Sequence, residues 1–122
     1  MKLHIKLIGE DNLDIIVDGI KKNNTYKYME NNIEVFVKYN NNKLYIDRKS
    51  SDYTINLVFE EGNNTNSTYT VFGGIKKFIL NTRTDKLNIS DDKIELEYKV
   101  DDNKFKYLLE VVYEGEIKES NK

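Results

Sequence analysis

One histidine and no cysteine among 122 residues leave little from which acid–base or metal chemistry can start. His4 is the only side chain whose unperturbed pKa lies near neutrality, so any triad or general-base scheme must run through it. It stands between Lys2 and Lys6 in an alternating segment. That phase is the one of an exposed strand histidine, and no oriented nucleophile accompanies it. Ser50, Ser51, Ser67, Ser90 and Ser120 fall in turns, strand starts or the tail, without the pattern of a nucleophile elbow. Thiolate clusters and multi-histidine zinc centres are excluded outright, and no cofactor or metal is expected.

The carboxylates come mostly as sequence neighbours: Glu60-Glu61, Asp91-Asp92 and Asp101-Asp102. On a strand, neighbours point to opposite faces and cannot share a substrate. Glu95 and Glu97 do share a face, about 6 to 7 Å apart by the strand rise. That spacing suits a pair of glycosidase carboxylates with a water between them. The opposite face of the same segment carries Ile94, Leu96, Tyr98 and Val100, however, which makes the glutamates its solvated side. Asp101, Asp102 and Asn103 are acidic enough for a calcium loop but lack its alternation and central glycine. No catalytic residue and no metal ligand follow, and an enzyme is the least supported of three readings.

A formal net charge of −2 removes the basic footprint that backbone-driven nucleic-acid binding requires. No apolar run approaches the ~18 residues of a membrane-spanning helix. Met1 to Gly9 alternates and does not read as a secretory leader, so the expected compartment is the cytoplasm. Lys, Asn, Ile and Tyr make up 55 residues, Ala and Gln are absent, and 42 residues are Ile, Val, Thr, Phe or Tyr. Helix formers are scarce and strand formers abundant.

Apolar residues recur at a period of two, and clusters of Asn, Asp and Gly separate the runs. The expected strands run from Lys2 to Ile8, Leu13 to Asp18, Thr25 to Glu30, Ile33 to Tyr39, Lys43 to Arg48 and Tyr53 to Glu61. Gly62 to Asn66 reads as a polar loop. Strands from Thr68 to Phe72 and Ile75 to Arg83 then flank Gly73-Gly74, a tight hairpin turn in which both glycines take positive φ. Ile94 to Val100 and Phe105 to Tyr113 complete the set. With Asp102 and Asn103 as their turn, Tyr98 falls opposite Tyr107, Leu96 opposite Leu109 and Lys99 opposite Lys106, a conflict that a bulge or longer loop relieves.

The economical architecture is all-β: a single domain over residues 1–122, one antiparallel meander of about eight to ten strands. Closure into a barrel removes the sheet edges. At that strand number the interior is filled, or just wide enough for one small ligand.

Leu57-Val58-Phe59-Glu60-Glu61-Gly62, then Tyr69-Thr70-Val71-Phe72-Gly73-Gly74, Thr82, Lys86-Leu87 and the alternation from Ile94 to Tyr98 together resemble the YwiB-like family of uncharacterised bacterial proteins. The resemblance covers roughly the last two thirds of the chain. It implies a lipocalin-like (calycin) barrel, cytoplasmic in a bacterium, and brings no catalytic residues with it.

Tyr26, Tyr28, Tyr39, Tyr53, Tyr69, Tyr98, Tyr107 and Tyr113 fall in expected strands, several on inward faces. A tyrosine-lined barrel suits a small amphipathic ligand, with rings supplying apolar area and hydroxyls fixing orientation; alternatively the rings fill a dry core. The candidate ligand-binding residues are Tyr53, Tyr69, Arg83, Tyr98 and Tyr107. Arg83 receives a carboxylate if it faces inward with Ile79, and is a rim residue if Phe78, Leu80 and Thr82 face inward, the phase that buries more apolar area. Leu108 and Val112 share an outer face with Lys104, Lys106, Glu110 and Glu114, a candidate homodimer contact unless a bulge reverses the phase or the amino-terminal strand covers them.

Overall fold

The computed structural model describes residues 1–113. Ten strands follow one another: β1 (Lys2–Ile8), β2 (Leu13–Lys22), β3 (Thr25–Glu30), β4 (Ile33–Asn40), β5 (Lys43–Lys49), β6 (Tyr53–Glu60), β7 (Asn64–Val71), β8 (Lys76–Ile89), β9 (Lys93–Val100) and β10 (Asn103–Val112). Each pairs antiparallel with its neighbour in the chain, and β1 pairs with β10 to close the barrel. The fold is therefore all-β, a lipocalin-like meander barrel.

The Asn-rich composition has a structural use here. Two-residue turns join β2 to β3, β3 to β4, β4 to β5 and β9 to β10, and each starts at a positive φ: Asn23 at 55°, Asn31 at 55°, Asn41 at 51° and Asp101 at 53°. Asn and Asp tolerate that left-handed region better than other residues with a side chain, because the short polar group bonds locally.

Alternation places the core as expected. Leu3, Ile5, Tyr26, Val35, Val37, Leu44, Phe59, Ile94 and Leu109 are completely buried. Most of these lie toward the barrel end that carries the chain start and the turns after β2, β4, β6 and β8, and they fill it. The other end carries the turns after β1, β3, β5, β7 and β9 and forms a mouth. Two interruptions in the wall shape it. The β2–β3 ladder stops at Gly19 opposite Tyr28. On the far side, β8 meets β9 only from Thr82 opposite Val100 onward, so Lys76 to Asn81 form a ladder with β7 alone.

Four expectations need correction. First, β7 starts at Asn64, inside the stretch read as a loop. Its inward positions are hydroxyls, which a search for apolar alternation does not register. Ser67 accepts a hydrogen bond from the Val58 N–H at 2.9 Å, Thr65 donates to the Val58 carbonyl, and Thr84 accepts from the Glu60 N–H at 3.1 Å. Side chains thus replace the β6–β7 backbone ladder, whose regular pairing ends at Asn56 opposite Thr68. Second, β2 and β8 run beyond the expected ends, to Lys22 and Ile89, with a register shift between Thr84 and Lys86.

Third, the β9–β10 turn is Asp101-Asp102, which sets Tyr98 opposite Phe105, Leu96 opposite Tyr107 and Ile94 opposite Leu109. Lys106 then meets Glu97, and the like-charge pair is Lys99 with Lys104 beside the turn. Fourth, Gly73 (φ 64°) and Gly74 (φ 94°) do take positive φ, but within a short 3-10 turn over Phe72–Gly74.

Candidate functional site

A pocket of about 290 Å³ opens inside the mouth. Leu7, Ile46, Ile55, Leu57, Leu80 and Val100 give it aliphatic walls, and Phe105 closes one side. Polar groups converge beside it. Arg48 sits on β5 in phase with Leu44 and Ile46, and Glu30 on β3 in phase with Tyr26 and Tyr28, so alternation turns both charges inward. They form a two-pronged ion pair: Nη1 donates to Oε1 at 3.0 Å and Nη2 to Oε2 at 2.5 Å. This planar fork matches the carboxylate geometrically, which is what lets a guanidinium leave bulk water. Burial works to lower the Arg48 pKa, but the hydrogen bonds and charge of Glu30 outweigh it, and the net shift is upward.

Three tyrosines surround the pair. The Tyr28 and Tyr107 hydroxyls share a hydrogen bond at 2.8 Å. Burial pushes Tyr28 up to about 12 against the opposing bond from Tyr107, and pushes Tyr107 well above the usual phenol range. Tyr98 is also pushed up to about 12 by burial, with the nearby Arg48 charge opposing. Its ring stacks on Phe105 at 5.2 Å and 17° and packs on Phe59 at 4.6 Å, which holds the phenol in one orientation. All three phenols therefore stay neutral donors near physiological pH.

Of the five residues the sequence singles out, Tyr98 and Tyr107 line this pocket. Tyr53 and Tyr69 meet one another at 5.7 Å, and Tyr69 meets Phe78 at 6.1 Å, a half-buried aromatic row on the β6–β8 side of the mouth. Arg83 does not reach the interior. The β8 phase buries Thr82 and Thr84, leaving Arg83 exposed with Nε 3.5 Å from Asp85 and Nη1 3.4 Å from Asn64. The interior cation is Arg48, which a search for inward tyrosines passes over. Its signal was its parity with Leu44 and Ile46.

The other candidates lie on the outer wall. His4 Nε2 is 2.6 Å from Asp14, and Nδ1 is 4.0 Å from Glu110. Glu95 and Glu97 both contact Lys86, and Glu95 also meets Lys93 at 3.2 Å. Leu108 and Val112 are half-buried outside, with no reversal of phase, since Leu109 is fully buried. Leu108 lies beside Ile8 in a shallow groove of about 280 Å³. Tyr113 is exposed beyond the end of β10, not an inward residue. Glu114 and Ser120 lie outside the described residues.

Residues 9–120 match a family defined as a domain of unknown function, DUF1934. The chain belongs to this family. It is also similar in fold to the crystal structure of the ywiB protein from Bacillus subtilis, with a TM-score of 0.62 at 18% identity over 92% of this chain and 91% of that one. The YwiB-like resemblance read from the 57–62 and 69–74 segments is thereby borne out at the level of family and fold. No curated protein matches the chain. Among the described residues, no helix is long and apolar enough to cross a membrane.

Proposed function

We propose that the barrel binds a small amphipathic molecule in its mouth. The observation that carries this reading is the pocket itself. One end of the barrel is packed with side chains, while the other keeps about 290 Å³ between aliphatic walls, lined also by Arg48, Tyr98 and Tyr107. Apolar walls with a few placed polar groups are what ligand pockets have in common, and this volume lies at the small end of their range. The overhanging β7–β8 hairpin adds apolar surface beside the opening, with Phe78 42% and Ile79 58% exposed.

A neutral environment-sensitive dye, N-phenyl-1-naphthylamine, tests the reading. Saturable binding of one dye per chain is expected, lost in Val100→Trp and in Leu80→Trp, which fill the pocket from the neighbouring strands β9 and β8. Binding that does not saturate, or that both filled variants retain while their circular dichroism stays native, removes the role.

A further inference from the structure

Resting on that binding role, we propose that the ligand carries an uncharged hydrogen-bond acceptor, a ketone, ester or amide carbonyl, held by the Tyr98 hydroxyl and the spare N–H groups of Arg48. Tyr98 is only 7% exposed, yet its hydroxyl has no hydrogen-bond partner among the described residues, and the side chain lines the pocket. The other deep phenols are engaged: Tyr26 donates to the Asp91 carbonyl at 3.1 Å, and Tyr28 bonds Tyr107. The Tyr98 hydroxyl is not sealed inside the protein but opens onto the pocket, so it is a donor available to an acceptor on a ligand. Arg48 lines the same pocket and adds further donors. A guanidinium has five N–H groups, and Glu30 accepts from two of them.

Charge decides the class of acceptor. Glu30 already balances Arg48, so a ligand carboxylate brings a second, unpaired negative charge beside Glu30 in a poorly solvated site. A ligand ammonium offers only donors, where the protein also presents donors. A neutral carbonyl satisfies Tyr98 and Arg48 while leaving the ion pair intact.

Three molecules of similar shape separate the possibilities: ethylbenzene, acetophenone and benzoate, titrated into the intact wild-type chain and Tyr98→Phe, with binding read from amide chemical shifts. Tyr98→Phe keeps the ring and its stacking and removes only the unbonded hydroxyl. The expected result is that it weakens acetophenone by about three- to tenfold, the worth of one neutral hydrogen bond. Ethylbenzene should stay within twofold, and benzoate should bind the wild type more weakly than acetophenone. Equal acetophenone affinity in both proteins, or benzoate as the tightest of the three, overturns the carbonyl assignment while saturable ethylbenzene binding keeps the pocket. Failure of all three to bind the wild type removes both.

Discussion

Tyr98 and Tyr107 each bring a phenol into the barrel mouth, but only Tyr107 has an internal hydrogen bond to lose. Tyr107→Phe leaves the buried Tyr28 hydroxyl unpaired and should cost about 1 to 2 kcal/mol. Tyr98→Phe removes a hydroxyl with no partner among the described residues and should change stability by less than about 0.5 kcal/mol. Urea unfolding of the two variants beside the wild type checks the contrast; equal losses would show that Tyr98 has a partner after all. At this scale the sequence was half legible. Parity located Tyr98 and Tyr107, and the same parity applied to Arg48 and Glu30 places two charges inside. A charge is ordinarily assigned to solvent, and only its partner, 18 positions away in the chain, makes interior burial tolerable.

The strands whose faces differ in polarity were readable as elements, because alternation of Ile, Val, Leu and Tyr with Lys and Glu is itself the record of inside and outside. The polar strand β7 was not. Its half-buried Thr65 and buried Ser67 bond the backbone of β6 and, for Ser67, the Thr82 hydroxyl at 2.8 Å. Ser67→Ala should therefore cost about 2 kcal/mol, since it leaves the Val58 N–H without its acceptor and Thr82 with only its long 3.4 Å bond to the Leu80 carbonyl. The Val58 amide should exchange with deuterium faster in this variant, relative to amides of β4, whose ladders are untouched. An unchanged rate at Val58 would mean that the hydroxyl does not carry the β6–β7 seam. Turn register was a similar case: moving the β9–β10 turn to Asp101-Asp102 shifts every cross-strand partner by two positions but leaves each residue on its face. Face is encoded locally, whereas partner depends on which Asp or Asn takes positive φ.

For the barrel as a whole, the buried phenols tie stability to alkaline pH. Tyr28 and Tyr98 are each raised to about 12 by burial, against an unfolded value near 10. Above pH 10 the folded state holds protons that the unfolded chain releases, so stability is fully present below about pH 10 and falls as pH rises toward 12. Each phenol contributes on the order of 2 kcal/mol to that loss. Denaturant midpoints measured from pH 8 to pH 12 should be flat at first and then drop. Tyrosinate absorbance should show the buried fraction ionising above the exposed tyrosines. A flat midpoint through pH 12 would contradict the burial of these hydroxyls.

Strand content outside the polar start of β7, the inward face of each segment with apolar alternation and the absence of thiol or multi-histidine chemistry were settled by residue type and a period of two, properties that any stretch of the chain carries by itself. Which end of the barrel is packed and which is hollow, that Arg48 rather than Arg83 lies inside, and that Tyr98 alone among the deep phenols has no hydrogen-bond partner among the described residues were decided only when ten strands closed into a ring. Those facts depend on contacts between residues far apart in the chain, and only closure brings such residues within reach of one another.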